Sequence, residues 1–392
     1  MGVIIQPNIE VPNIVIQKDE NDEYGTERIM NEWGKTVPII QIGDYVINTG
    51  ELITFDLYIN FNNIPTFEMS IDDENYYIRE ALKNEIDKCI IFIGYKEFYL
   101  RFNGLIKKNS SDIGGKIIYL SGEYFYETLY TKEQKAYNEM SVLDVLKSIC
   151  ESTKLGLYII DNSDLNKTIS VINTEKQILQ FLFETIKDKT TNIFSIDTFG
   201  FLHIGDVDKI KQQPLSKYTL KPLTGEKIPE TDIILTSTSR QYNEDTDENK
   251  IPIKYYTLTS NFSRLISTAY KGYGIKFSDD KSLVIEDDKN ILDGELNDNT
   301  FYGFENANFP FYSDIINKKI IGNSISIQME NLIFELCPFD MINFECYLPP
   351  QGDKPIRLDE EHSGKKMILS YSLHYSKTKG EFNKITQVIN LI

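Results

Sequence analysis

Basic residues are in short supply: 41 Lys and Arg stand against 59 Asp and Glu, a formal net charge of −18. Gripping a phosphate backbone takes the opposite balance, so the charge argues against a surface built for nucleic acid, and no local basic patch stands out. Long apolar runs are missing too. None approaches the roughly 20 residues that a membrane-spanning helix needs. Pro7 and Pro12 interrupt the first segment, Met1 to Gln17, so neither a signal peptide nor a transmembrane helix is expected there. The four cysteines, Cys89, Cys150, Cys337 and Cys346, show no CxxC spacing and sit among apolar residues. They read as buried thiols of a protein folded in a reducing cytoplasm, with a bridge between Cys337 and Cys346 across two strands left open.

Histidine is scarce, with only His203, His362 and His374. None belongs to an HExxH pattern. His203 and His374 fall in alternating, strand-like segments where a packed or solvent-facing ring is the expected reading, so no metal site is predicted. Gly34-Lys35-Thr36 ends like a phosphate loop, but Ile29 stands where that loop needs glycine. Asp245, Asp247 and Asn249 keep calcium-loop spacing, yet Lys250 occupies the glycine position and Tyr256 that of the bidentate glutamate. Ser324, in Gly322-Asn323-Ser324-Ile325-Ser326, lacks the closing glycine of a nucleophile elbow. Acidic pairs such as Asp72-Asp73 have the residue type of a glycosidase, but a chain with 59 carboxylates supplies such pairs by chance. The motifs therefore predict no catalytic residue, no cofactor and no enzyme.

Strand character is what the chain has in quantity. Its 24 Tyr and 22 Phe either bind sugars or, more commonly, pack strands and subunit interfaces. Runs from Val37 to Ile42, Tyr45 to Ile47, Leu52 to Ile59 and Phe67 to Ile71 are β-branched or aromatic, broken by Gly43, Gly50 and Pro65. A short helix over Tyr76 to Asp87 precedes a strand from Cys89 to Ile93. Strands Phe98 to Lys107 and Lys116 to Ser121 then flank a polar turn at 109–115. Residues 1–130 read as one antiparallel β domain, closed or nearly closed.

The period changes near Thr131. Ser141-Val142-Leu143-Asp144 is a cap signature, opening a helix with Val142, Val145, Leu146 and Ile149 on one face. Thr174-Glu175-Lys176-Gln177 has capping-box spacing ahead of a second helical face, Ile178, Leu179, Leu182, Phe183 and Ile186. Two strands, Ile193 to Asp197 and Phe201 to Gly205, meet at Gly200. Residues 131–210 form a small α+β module. Residues 211–318 are a connecting region contributing strands to a second β domain, Asp232 to Ser237 and Ile251 to Leu258 among them. Its acidic insertion within 276–300 reads as a solvated loop or hairpin. Residues 319–392 return to strands: Ile320 to Met329, Leu332 to Leu336, Asp340 to Leu348, Lys365 to Tyr375 and Phe382 to Ile392. A long strand, a polar turn and a return strand occur at Phe98 to Lys107 with Lys116 to Ser121, and again at Met367 to Tyr375 with Phe382 to Leu391. The expected fold is α+β, mainly β: two related antiparallel β domains around an inserted α+β module.

In order, these pieces resemble the baseplate central hub proteins of contractile phage tails, a family related to the first part of type VI secretion spike proteins. Leu100 to Ile106 with Ile117 to Tyr130 resembles the end of that family's first barrel. Met140 to Cys150 resembles the capped helix that follows, and Thr174 to Gly205 the helix and hairpin that close the inserted module. Leu336-Cys337-Pro338-Phe339-Asp340 resembles a turn written Leu-x-Pro-Gly-Asp, with Phe339 in place of glycine. Gly364 to Tyr375 resembles a penultimate strand carrying a histidine, here His374, near its end.

The resemblance implies two β-barrels of tube type per chain and a homotrimer whose ring adapts a sixfold tail tube to a threefold central spike. It implies a structural role in the virion tail, assembled in the host bacterial cytoplasm, beside tape measure and neighbouring baseplate proteins, with DNA passing through without specific binding. Since the sequence stops at Ile392, soon after the second barrel's closing strand, a separate spike protein is expected. The acidic balance suits a conduit lumen that does not retain DNA. A receptor- or glycan-binding tail protein is the alternative.

Overall fold

Apolar residues recurring at every second position build one large sheet. A computed structural model of the chain describes residues 2–11, 37–47, 50–61, 63–95, 98–112, 114–160, 164–190, 192–222, 232–241, 271–277, 283–290, 300–304, 324–329, 333–334, 336–348, 357–360, 363–377 and 385–392. Ile29, Gly34-Lys35-Thr36, the calcium-like stretch from Asp245 to Tyr256, the whole expected strand Ile251 to Leu258, and His362 lie outside the described residues.

The N-terminal strand β1 (Val3–Ile5) is followed by β2 (Ile39–Ile42), β3 (Tyr45–Val46), β4 (Leu52–Asn60), β5 (Thr66–Asp72), β6 (Lys88–Tyr95), β7 (Phe98–Ser111) and β8 (Ile117–Tyr124). From β2 onward these strands pair antiparallel in the order β4-β5-β8-β7-β6-β2-β3. Leu57, Ile59, Phe67, Met69, Ile71, Leu100, Phe102, Ile118 and Leu120 fill the inner face, while Asp56, Tyr58, Glu68 and Tyr119 lie on the other. The Phe67 ring lies over the backbone of two neighbouring strands. A Cβ at Gly104 would meet its Cε1 at 2.5 Å and one at Gly122 its Cζ at 2.4 Å, so both positions need glycine. The expected helix after β5 runs only over Tyr77–Lys83, and β7 continues to Ser111, which shortens the turn expected at 109–115.

The module comprises β9 (Lys132–Ser141), the helix Val142–Thr153, β10 (Gly156–Ile159), β11 (Thr168–Gln177), β12 (Ile193–Ile196) and β13 (Phe201–Gly205). Ser141 Oγ accepts the Asp144 N–H at 3.0 Å, the cap read from the sequence, and Val142, Val145, Leu146 and Ile149 are buried. β1 joins this module's sheet, in the order β1-β10-β13-β12. The capping box at Thr174–Gln177 is corrected: these residues are the end of β11, with Thr174 opposite Gln134 and Gln177 opposite Lys132 in the β9–β11 ribbon. Asn173 is buried there and its carboxamide bonds both the N–H and the C=O of Lys176, so ladder and side chain satisfy the backbone that a cap would have served. The helix itself shrinks to Ile178–Phe181, widens into a π turn over Leu182–Ile186 and tightens over Lys187–Lys189.

The remaining strands are β14 (Thr219–Pro222), β15 (Asp232–Gln241), β16 (Lys271–Phe277), β17 (Leu283–Asn290), β18 (Thr300–Phe304), β19 (Ser324–Met329), β20 (Met341–Phe344), β21 (Tyr347–Leu348), β22 (Arg357–Leu358), β23 (Gly364–Ser376) and β24 (Ile385–Leu391). The acidic insertion contributes to a separate three-stranded sheet, β17-β16-β18. Leu332 to Leu336, expected as a strand, is irregular at residues 333, 334 and 336. The buried Gln387 takes a strand partner's place, accepting the Ile333 N–H at 2.8 Å and donating to its C=O at 3.2 Å.

β20, β14, β15, β19, β24 and β23 pair in sequence, and β20 pairs back onto β23, which closes a ring. The long strand β23 makes closure and continuation compatible. Its start, Gly364 to Met367, faces β20, and Ser370 to Ser376 faces β4, while β24 covers its other edge. The ring and the open sheet are thus one 13-stranded sheet. The architecture is mainly β, a curled and largely antiparallel sheet with an α+β module, as the sequence predicts.

Candidate functional site

Two turns, remote in sequence, meet where the module packs on the ring. The first joins β12 to β13: Asp197 Oδ1 accepts the N–H groups of Phe199 and Phe201, both at 2.9 Å, and Gly200 adopts φ 86°. A Cβ at Gly200 would lie 2.4 Å from Ile9 Cδ1, so side-chain contact as well as conformation selects glycine. The second is Cys337-Pro338-Phe339-Asp340, closed by Asp340 N–H to Cys337 O at 3.2 Å and Cys337 N–H to Asp340 Oδ2 at 2.8 Å. Phe339 takes φ 80°, the positive value that glycine usually supplies at the third position of a proline-led turn. That conformation costs on the order of 1–3 kcal/mol. Burial of the ring, which meets His203 edge-on at 6.4 Å, offsets it.

Asp197, His203 and Cys337 converge at this junction. His203 Nε2 lies 2.8 Å from Asp197 Oδ2, and Cys337 Sγ donates to the same oxygen at 3.8 Å. Asp197 is 1% exposed and His203 7%. The imidazole is held by Tyr158 at 5.3 Å and Phe201 at 6.1 Å between ring centroids. The cluster opens onto a cavity of about 490 Å3 that Tyr158, Asp340 and Leu215 also line. Burial pushes the Cys337 thiol well above its ordinary range, and the Asp197 and Asp340 carboxylates add to the effect. Burial raises Asp340 as well, against the Cys337 N–H and the His203 imidazole. A thiol so placed stays protonated at neutral pH and is no nucleophile.

His374 forms a second cluster, at the seam between ring and open sheet. Its Nδ1 lies 2.7 Å from Asp56 Oδ1 across the β23–β4 pairing, and its Nε2 lies 2.7 Å from Ser372 Oγ. The order is that of a hydrolytic triad, but Ser372 sits in a strand paired on both edges, to Tyr58 of β4 and Val388 of β24. Its neighbouring N–H groups are committed to those ladders and provide no oxyanion hole among the described residues. What the relay does is tie β4 to β23.

The other sequence candidates are structural. Asp73 accepts the N–H groups of Ile78 at 3.0 Å and Arg79 at 3.2 Å in the first turn of the helix Tyr77–Lys83, whereas Asp72 is exposed, so the acidic pair is divided between two tasks. Ser324 opens β19 opposite Gln241. Cys89, Cys150, Cys337 and Cys346 are all thiols, which closes the question of a Cys337–Cys346 bridge. His203 is buried and His374 half-buried, where a packed or solvent-facing ring was expected of both. Asp56 is 318 residues from His374, so only strand register sets that pair; Asp197 lies 6 residues before His203 across the β12–β13 turn, and it is Cys337, 140 residues from Asp197, that tertiary contact alone brings in.

No protein-family model matches the chain, and no curated protein matches it in sequence. Solved structures do. The 43 kDa tail protein of prophage MuSo2 from Shewanella oneidensis matches 91% of this chain and 98% of its own, with 9% identity and a TM-score of 0.51. The tail protein from Neisseria meningitidis MC58 matches 91% of this chain and 95% of its own, with 11% identity and a TM-score of 0.49. An E. coli component of the type VI secretion system, described as structurally similar to the T4 tail proteins gp27 and gp5, matches 87% of this chain and 73% of its own, with 9% identity and a TM-score of 0.44. Over nearly the full length of both chains, this protein shares its fold with the MuSo2 tail protein.

Proposed function

We propose that this chain is a structural protein of a phage-type tail baseplate, the central hub, acting as a homotrimer. One observation carries the reading: the chain shares its fold end to end with a phage tail protein, through two β regions joined edge to edge at β23. A hub that adapts sixfold to threefold symmetry needs two comparable β units per chain, and the closed ring and the open sheet are the two units on offer. Residues 1–130, apart from β1, which pairs in the module's sheet, and residues 211–392 supply them, with 131–210 as the module between. The trimer joins tail tube and tape measure on one side to a separate central spike on the other, among neighbouring baseplate proteins. It sits in the virion tail after assembly in the host cytoplasm. The net charge of −18 fits a lumen through which DNA passes without sticking. No catalysis is part of this role.

Native mass measurement tests it. The expected species is a trimer, alone or with its spike partner; a monomer at micromolar concentration under both conditions overturns it. Electron microscopy of the trimer then reads the lumen, where a basic lining removes the conduit reading. Receptor or glycan binding is a second reading, favoured by the half-exposed Tyr76 and Tyr77. Tyr77 packs on Tyr45 at 5.0 Å, and Arg79 lies 5.0 Å over the Tyr76 ring. Retention on a glycan array that Tyr76→Ala and Tyr77→Ala abolish would favour it.

A further inference from the structure

The junction between module and ring brings together an oxygen, a nitrogen and a sulfur donor. One donor atom from each of Asp197, His203 and Cys337 lies within 4.8 Å of the others. Each donor is aimed by its surroundings. Two backbone N–H groups hold Asp197 Oδ1, which turns Oδ2 toward the imidazole and the thiol. Aromatic rings fix the His203 plane, and the Cys337 backbone N–H is held by Asp340. Such outer contacts are what orient the ligands of protein metal sites.

We propose that Asp197, His203 and Cys337 bind one divalent transition-metal ion of the zinc class, with a water from the adjoining cavity in the fourth position. The mixed donor set suits zinc and not the all-oxygen shells of calcium or magnesium. Metal–ligand distances of about 2.0–2.3 Å in a tetrahedron place nitrogen and oxygen roughly 3.3 Å apart, and sulfur and oxygen roughly 3.6 Å apart. The corresponding separations are 2.8 Å and 3.8 Å, and the third, His203 Nε2 to Cys337 Sγ, is within 4.8 Å where a tetrahedron needs roughly 3.6 Å, so entry of the ion draws the imidazole and the thiol together by up to about an ångström. On entry it replaces the hydrogen shared by His203 and Asp197 and displaces the Cys337 thiol proton, both released to solvent. The bound ion staples the β12–β13 hairpin to the turn before β20, fixing the module on the ring. The site does not depend on the assembly reading.

The test titrates chelator-treated, full-length protein with zinc chloride and, separately, with cobalt(II) chloride. One equivalent per chain and a thiolate-to-cobalt charge-transfer absorption are expected. Cys337→Ser should abolish that absorption and weaken zinc binding by more than the ~10–100-fold typical of losing an outer-shell partner. Cys346→Ser should change neither. Wild-type protein that takes up no metal overturns the proposal, as does a cobalt complex without thiolate absorption or equal uptake by Cys337→Ser. The wild-type titration needs no variant to fold, and the oligomeric state, measured on the same samples, reports separately on the hub reading.

Discussion

The two β regions of this molecule contain similar strands and finish differently. In the second region β20 returns to β23, so each strand of the ring has a neighbour on both sides. In the first, β4 borrows an edge of β23 and the sheet runs out at β3, which spans only Tyr45–Val46. A closed ring satisfies its backbone internally, and an open sheet limits stray pairing by making its last strand short. Closure here depends on strand length: β23 is long enough to serve β20 with one part and β4 with another, whereas no first-region strand is shared in that way among the described residues. One core cluster of buried residues nonetheless extends through both regions and the module, from Phe55 and Phe67 through Leu146 and Ile204 to Leu373 and Ile389. The open region is closed off by packing where the ring is closed by hydrogen bonds.

The contrast breaks most readily at Phe67. Its ring occupies the space over Gly104 and Gly122, two positions with no side chain to move into a void. Phe67→Ala should therefore cost about 3–5 kcal/mol, a full cavity cost with little collapse. Hydrogen exchange read strand by strand should show β5, β7 and β8 losing protection while β19, β23 and β24 keep it. Equal loss in the ring would mean that the two regions open as one unit and that closure confers no separate stability.

Alkaline pH should loosen the open sheet next, though not it alone, since burial also raises Tyr371 on β23 and Cys337 before β20. Burial pushes the Cys89 thiol, on β6 of the open sheet, up to about 12 from a starting value of 9.0. A group raised on folding contributes stability that is complete below its unfolded value and lost as pH climbs through the folded one, here between about pH 9 and 12. The loss should approach ~1.4 kcal/mol per pH unit. The helix thiol Cys150 is also raised to about 12 by burial, so Cys89→Ala should reduce the alkaline slope of the urea midpoint without flattening it. An unchanged slope would show that the open sheet is already loosened at Cys89 before its thiol ionises.

Much of this comparison was legible in the sequence, and the limits were physical. Alternation located β4, β8 and β24 because one face of each is buried, β5 and β23 showed it although Ser70, Ser370 and Ser372 are buried on the second face, and Ser141 announced its helix because a cap is a local hydrogen bond. Thr174 to Gln177 misled for the converse reason: the same residue types satisfy a strand end when a neighbouring ladder and the Asn173 carboxamide are present, and neither is visible locally. Gln387 was invisible as the partner that keeps Ile333 irregular, and ring closure was invisible because β20–β23 is a register between segments, not a composition. At the metal-type cluster His203 was noticed as a residue type, but Asp197 and Cys337 carry no shared spacing. A turn aspartate followed by Gly200 and a Cys-Pro turn were the only local signs.

The mildest perturbation tests the seam. Asp56 and His374 form a side-chain hydrogen bond between β4 and β23, at 2.7 Å, with side chains 29% and 34% exposed. Water can therefore replace either partner, and the pair sits on backbone ladders that remain when it is cut. Asp56→Ala should cost only about 1 kcal/mol overall, the net worth of one such hydrogen bond. Its informative consequence is local. The amides of residues 54–60 and 370–376 should exchange faster, while Gly364 to Met367, which face β20, should not change. Should both parts of β23 loosen together, the strand acts as a single rigid spine and the boundary between closed and open regions lies elsewhere. If only the β4 side responds, β23 divides functionally where its partners change, and the ring is a unit that the open sheet leans on.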